Sequence, residues 1–388
     1  MQDGAEGGGL LSILSAEGAS PPSAATEPSV YGPATTHATL SGAAAFALAA
    51  ILIDGLPDES YDDYALDLLR RAEAAWRWAE QNPEAVFYNN RDEAAGVGAG
   101  QQETDANGRA TDWRRAAVYL FAATGKEAYQ EYVVLGHEYT PLVQWHGSID
   151  AFNESETTTM LLYTVLPEAD AGTLQTIRRF YREAIGRDHL AGAAAQGRSA
   201  YRAWLQPEHY TWGSNSIVAR QGQLFMNLAL YGFEAPKDYD VRDVALGYLN
   251  YLHGVNPFGL VYLSNMYELG VSRSVNEFYH SWFTNGSELW DRVGESKYGP
   301  APGFLVGGPT LQYDRDACCP DACGTPENNR RCDSEPLEPP LGQPVLKAYK
   351  EFNTSWPLNS WIVTENSNGY QAAYLRLLAN FVPPAGGG

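Results

Sequence analysis

Residues 58–81, DESYDDYALDLLRRAEAAWRWAEQ, decide the fold class. Apolar side chains recur there at positions 65, 68, 69, 72, 76 and 79. This spacing places them on one face of an α-helix. The alanine- and leucine-rich run 39–54 comes just before it, so the sequence predicts two helices in succession.

Helical periodicity continues along most of the chain. Thr111 is a plausible N-cap for a helix that runs to residue 123 and ends at Gly125, with 126–139 as its partner. Further helices are predicted at 154–165, 169–185, 214–230, 239–252 and 369–381, and alternating strand patterns are nearly absent. Paired helices without a heptad pattern favour an all-α fold, a closed ring of helical hairpins, over an irregular bundle.

Residues 256–357 interrupt this pattern. They are rich in Gly, Pro, Asn and aromatic residues and carry no clear helix. Long loops on a rigid scaffold usually serve function. Because pyranose rings stack on aromatic side chains, the tryptophans and tyrosines of these loops are candidate sugar contacts.

Composition limits the classes of partner. The chain has 388 residues and a net charge of −21, which disfavours nucleic acid and anionic membranes because both require a positive protein surface. A neutral glycan carries no such penalty. No run of eighteen apolar residues and no basic, apolar leader at Met1 is visible, so neither a membrane span nor a signal peptide is predicted.

All four cysteines, Cys318, Cys319, Cys323 and Cys332, fall within fifteen residues. The pattern favours two disulfides in any of three connectivities. A tetrathiolate metal site is the alternative, although adjacent cysteines suit it poorly.

Three ordered motifs in the last third of the chain carry a family resemblance. They are GVNPFGLVY at 254–262, GFLVGGP at 303–309 and WIVTEN at 361–366, the last followed by Tyr370. With SPPS at 20–23, YGP at 31–33 and WGSN at 212–215, they resemble glycoside hydrolase family 9. This resemblance covers almost the whole chain and implies a single, partial (α/α)6 catalytic barrel over residues 1–388.

Glu365 is the candidate general acid. Cleavage of a glycosidic bond requires a carboxylic acid that protonates the leaving oxygen, and inversion requires a carboxylate that activates water. Glu365 lies among apolar residues at the predicted start of the last helix, where burial would raise its pKa. The alternative is a glutamate that only favours the helix dipole.

The resemblance places the second carboxyl in a DAGD-type segment upstream of SPPS. The chain contains no such segment, and Asp3 lies after the position where the family has it. We therefore expect that Met1 is an internal methionine, that the N-terminal part of the barrel and the secretion signal lie upstream, and that this chain lacks the base. A sequence that truly starts at Met1 would favour a non-catalytic barrel.

The resemblance implies four substrate contacts. His280 takes the position of the family's substrate-binding histidine, but the usual His-His-Arg reads Tyr279-His280-Ser281 here, which leaves Trp282 as a stacking substitute for the arginine. Tyr370 matches a tyrosine near the cleavage point, and Trp212 is expected to stack on the sugar. Each could instead be a packed structural residue.

A structural Ca²⁺ is a further expectation from the family. Its ligands are unknown, with oxygen donors available at 101–105 and at Asp314 and Asp316. No organic cofactor is expected. The implied activity is secreted, inverting hydrolysis of β-1,4 bonds in cellulose or a related glucan. An exo-β-glucosaminidase of the same family and a non-catalytic glycan-binding barrel are the alternatives.

Overall fold

The computed structural model describes residues 11–15, 30–88, 103–147, 149–185, 199–234, 240–279, 286–316, 319, 325–334, 338–354 and 356–383. Within these ranges the protein is mainly α-helical, with two small two-stranded sheets. The predicted all-α class is therefore confirmed for the part of the chain that is described.

The helices follow the chain in this order: α1 Thr36–Asp54, α2 Asp62–Gln81, α3 Ala106–Thr124, α4 Glu127–Gly136, α5 Pro141–Gln144, α6 Glu154–Tyr163, α7 Ala171–Ile185, α8 Ser214–Leu230, α9 Val241–Leu252, α10 Pro326–Ser334, α11 Trp361–Thr364 and α12 Asn368–Ala379. The strands β1 Leu11–Ser15 and β2 Val30–Ala34 pair antiparallel, and β3 Val261–Ser264 and β4 Ser274–Val275 pair parallel.

The described residues divide into two compact units. The first holds β1, β2 and the helices α1 to α7 as far as Ala184, without the five residues 150–154. In it α1 packs against both α2 and α3, and α3 packs against α4. The α2 face predicted from the sequence is buried at Ala65, Leu68, Ala72, Trp76 and Ala79, because these positions recur with the helical repeat.

The second unit is organised around α8, which is buried along almost its whole length. Helices α9 and α12 both pack against it. Residues 150–154 belong to this unit through two polar contacts. His209 Nε2 lies 2.9 Å from the Asp150 carboxylate, and Arg376 of α12 lies 3.4 Å from the Glu154 carboxylate.

Two details of the predicted helices are wrong. The α3 helix begins after Asp105, whose carboxylate accepts the Gly108 N–H at 2.8 Å, whereas Thr111 lies inside the helix. Asn107 and Gly108 are weak helix formers, so the sequence predicted a helix only after them. The cap at Asp105 lets these residues join the helix. Within the region predicted to carry no clear helix, Pro326–Ser334 forms α10.

Helix α1 is long and apolar enough to cross a membrane by length and composition. Core helices of soluble proteins have the same length and composition. Here half of the apolar window is buried, and the buried side chains face α2 and α3. The contacts of α1 are those of a core helix.

One of the predicted disulfides is present, between Cys319 and Cys332. This pairing rules out a tetrathiolate metal site that uses all four sulfurs as ligands. Cys318 and Cys323 lie outside the described residues.

Candidate active site

Glu365 lies in the link between the short helix α11 and the last helix α12. It follows Thr364 directly and has extended backbone torsions, φ −59° and ψ 144°. The cap of α12 is Ser367, whose side chain accepts the Tyr370 N–H at 3.1 Å. Glu365 was predicted at the start of the last helix, but it lies before the Ser367 cap and outside the helix. It is therefore not a first-turn glutamate that interacts with the helix dipole.

The environment of Glu365 favours its protonated form. Burial raises the pKa of the carboxyl above its ordinary value of 4.5, and a hydrogen bond from the Trp212 side chain offsets part of this rise. Desolvation disfavours the charged carboxylate, while a donor to the carboxylate favours it. Here burial is the larger effect, as a general acid requires.

The GGP turn supports the acid segment from one side. The Gly308 N–H donates to the Val363 carbonyl at 2.8 Å, which ties the turn to the last residues before Glu365. Gly308 has φ +105°, and a Cβ there would lie 2.5 Å from the Asn215 side chain. Only glycine fits this close approach of backbone to side chain.

The WGSN segment supports the turn from the other side. The Asn215 N–H donates to the Gly307 carbonyl at 2.9 Å, its side-chain amide donates to the Val306 carbonyl at 2.9 Å, and the Ser214 hydroxyl donates to the Pro309 carbonyl at 2.6 Å. All three groups are buried. Three motifs that are far apart in sequence are thus joined by backbone hydrogen bonds.

Tyr370 packs over the start of α8. Its ring lies so close to Gly213, which has φ +81°, that a Cβ there would be 2.5 Å from Cζ. Burial and then the charge of Glu365 raise the pKa of Tyr370 to about 12. The hydroxyl therefore stays protonated at neutral pH and can donate a hydrogen bond near the acid.

Gln371 and Asn256 of the GVNP segment form hydrogen bonds to the backbone of loops near the site. The Gln371 amide pairs with both backbone groups of Leu305, at 2.8 and 2.9 Å, much as an adjacent strand would. The Asn256 side chain donates to the carbonyls of Tyr251 and Leu260 at 2.8 and 2.7 Å, which closes the turn into β3. These residues stabilise the loops that carry the site.

Tyr279 is a further residue of the site, which the sequence offered only as one of several loop tyrosines that are candidate sugar contacts. Its ring packs against Trp361 with centroids 5.5 Å apart. Burial and then the charge of Glu365 raise its pKa. The signal was its place directly before His280. Glu365 is therefore flanked by the aromatic rings of Trp212, Tyr279 and Tyr370.

The family assignment follows from comparison with known proteins. Residues 20–378 match the protein family described as "Glycosyl hydrolase family 9". The chain belongs to glycosyl hydrolase family 9. No curated protein matches the chain.

Solved structures of family 9 proteins share its fold. A metagenome-derived family 9 endoglucanase is 19% identical with a TM-score of 0.67, covering 98% of this chain and 59% of its own. Family 9 endoglucanase J30 is 22% identical with a TM-score of 0.68, covering 98% and 61%. AaCel9A in complex with cellobiose-like isofagomine is 18% identical with a TM-score of 0.68, covering 98% and 62%. The chain spans about three fifths of the length of these structures.

These likenesses confirm the predicted helical barrel fold of family 9. His280 and Trp282, two of the predicted substrate contacts, lie outside the described residues. Glu365, Trp212 and Tyr370 are brought together, and their roles toward a substrate stay predictions. The single domain over residues 1–388 also stays a prediction.

Three of the four described residues that were predicted for calcium make other side-chain contacts. Glu103 accepts the N–H of Phe87 at 3.2 Å, Asp105 caps α3, and Asp316 accepts the Trp356 indole N–H. Among the described residues, no group of three or more His, Cys, Asp or Glu could hold a metal ion. Gln101 and Gln102 lie outside the described ranges, and calcium stays a prediction.

An Asp-Ala-Gly tripeptide does occur at Asp170–Gly172, where it is followed by Thr173 instead of aspartate. The Asp170 carboxylate accepts the Thr173 N–H at 2.7 Å at the start of α7. This bond lowers the pKa of Asp170. Asp170 is thus a helix-capping residue, which gives it a structural task in the first unit.

Proposed function

We propose that this protein hydrolyses β-1,4-glycosidic bonds in cellulose or a related β-glucan with inversion, and that Glu365 is its general acid. The observation that carries the proposal is the half-buried Glu365, with a raised pKa, on a segment braced by the GGP turn. Such a carboxyl is protonated at a pH where ordinary glutamates are ionised, and it can give its proton to the leaving oxygen.

The aromatic surroundings of Glu365 suit a neutral sugar. Trp212 is 46% exposed, so its ring is open to a pyranose face while its side chain also donates to the acid. Tyr370 adds a hydroxyl that remains a donor at neutral pH. Because the sugar is neutral, the strong negative charge of the protein does not oppose binding.

Inversion also needs a carboxylate that activates water on the opposite face of the sugar. The 388 residues contain no DAGD-type segment, and no carboxylate among them is assigned to this role. His280 and Trp282 are proposed as further contacts to the glucan, secretion as the location, and a Ca²⁺ ion as a structural element.

Two other functions are open to the same site. An exo-β-glucosaminidase would use the same acid on an amino sugar, and a non-catalytic barrel would bind the glycan without cleaving it. Incubation with cellohexaose and with chitosan oligomers, each followed by chromatography of the products, separates the three. In the whole protein, cleavage of cellohexaose supports the glucanase, cleavage of the chitosan oligomers supports the exo-β-glucosaminidase, and binding without cleavage supports the non-catalytic barrel.

The roles within hydrolysis have their own tests. Glu365→Gln should slow cleavage of cellohexaose about 100-fold or more, while a dinitrophenyl cellobioside, whose leaving group needs no proton, should lose much less. NMR of the first product should show the α-anomer. A β-anomer would contradict inversion, and an unchanged rate in the variant would contradict the acid.

A further inference from the structure

Thr364, the residue directly before Glu365, is completely buried. Its hydroxyl oxygen lies 2.8 Å from the Phe352 carbonyl and 3.1 Å from the Ser360 carbonyl, to which it can donate. The same oxygen accepts the backbone N–H of Tyr279 at 3.2 Å. One hydroxyl thus joins backbone groups from two other stretches of the chain.

The partner on the far side, Tyr279, is 85 residues away in sequence. It lies directly before His280, the predicted substrate-binding histidine. A second contact supports the same junction, since the Tyr279 ring meets the Trp361 ring edge-on with centroids 5.5 Å apart. The segment that leads into His280 is therefore attached to α11 by one hydrogen bond and one ring contact.

We propose that Thr364 is a positioning residue, which holds Tyr279 against the segment that carries Glu365. The chemistry requires a hydroxyl, because only a group that donates and accepts at once satisfies both the carbonyl and the amide N–H. Valine has the same shape and can do neither. Serine keeps both functions.

The consequence for the site rests on the proposed function. A general acid acts only within hydrogen-bond reach of the leaving oxygen, and a displacement of about 1 Å costs on the order of 100-fold in rate. Tyr279 is one of the loop tyrosines proposed as sugar contacts, and its ring packs on Trp361 in the same short helix as Thr364. The Thr364 hydroxyl therefore sets the distance between the bound sugar and the acid.

The test compares Thr364→Val with Thr364→Ser in the full chain. Hydrogen exchange followed by mass spectrometry reports the Tyr279 amide, and fluorescence titration gives the dissociation constant for cellohexaose. In Thr364→Val, we expect about tenfold faster exchange at Tyr279 and about tenfold weaker binding, the effect of one lost hydrogen bond. Thr364→Ser should stay close to the wild type in both.

Each result is decisive. Unchanged exchange in Thr364→Val, or equal loss in Thr364→Ser, overturns the proposal, and faster exchange with unaltered binding reduces Thr364 to a structural residue. If the wild type binds no β-glucan, the proposed function fails, but hydrogen exchange at the Tyr279 amide still tests whether Thr364 holds Tyr279. Should Thr364→Val not fold, Thr364→Ala, which also removes the hydroxyl, is compared with Thr364→Ser in the same way.

Discussion

Gly213 at the start of α8 provides a sharp test of how the site is assembled. Its φ of +81° is a conformation that costs an L-residue about 1–2 kcal/mol. An added Cβ would also lie 2.5 Å from Cζ and 2.7 Å from Cε1 of Tyr370, and overpacking of this kind costs about 1–3 kcal/mol. Gly213→Ala should therefore lower the free energy of unfolding by about 2–5 kcal/mol.

Gly270→Ala is the matched control. Gly270 has a similar φ of +88°, but a Cβ there meets nothing within 4 Å. This variant should lose only the backbone contribution of about 1–2 kcal/mol. Urea unfolding of both variants, with the slope m held in common, measures the difference.

The excess cost of Gly213→Ala should vanish when the ring is removed. In a Tyr370→Ala background, Gly213→Ala should cost no more than the Gly270 control, and the coupling in this double-mutant cycle isolates the clash. Equal destabilisation by Gly213→Ala and Gly270→Ala in the wild-type background would refute the packing of Tyr370 on the WGSN turn.

Three further predictions concern the same unit. Burial raises the pKa of Glu277 to about 7 although Arg292 lies nearby. Because the pKa is higher in the folded than in the unfolded protein, about 3 kcal/mol of stability that is present below pH 4.5 is lost as the pH rises through 7. Unfolding of Glu277→Gln, measured at several pH values, should not show this loss. Gln371→Ala removes two hydrogen bonds to buried backbone and should cost about 2–4 kcal/mol in urea unfolding. Trp212→Phe removes a donor to Glu365 and should raise the pKa of that carboxyl further, as NMR titration would report.

The Gln371→Ala prediction has a control on the same chain. Gln343 makes one long hydrogen bond at an exposed position, and Gln343→Ala should be nearly neutral. A Glu277→Gln profile parallel to the wild type, or a Gln371→Ala variant as stable as Gln343→Ala, would contradict the assigned contacts.

Most helices could be predicted from the sequence because their buried faces repeat with the helical period. Helix α8 is Ser214–Leu230, as predicted, and α2 differs at its start only because Glu59–Tyr61 form a 3-10 turn. The error at Thr111 came from local propensity, which a good N-cap at Asp105 outweighed. Helix α10 was missed because its residues are polar and carry no apolar repeat.

The candidate site was only partly predictable. Glu365, Trp212 and Tyr370 belong to ordered motifs, and the structure brings them together. Tyr279 was marked only as one of several loop tyrosines next to His280, and Gln371 belongs to no motif; their contacts join segments 85 and 66 residues apart. Which segments meet at that range is decided by tertiary packing and cannot be read from local periodicity.

The central claim is that Glu365 is a protonated acid within a β-1,4-glucan site. The direct measurement is a ¹³C NMR titration of the protein labelled at its glutamate carboxyl carbons, with Glu365 assigned by difference from Glu365→Gln, without and with cellohexaose. The account predicts a pKa for Glu365 above the ordinary 4.5 and a shift of its resonance when cellohexaose is added. A pKa at or below 4.5 together with a resonance that does not respond to cellohexaose would contradict it.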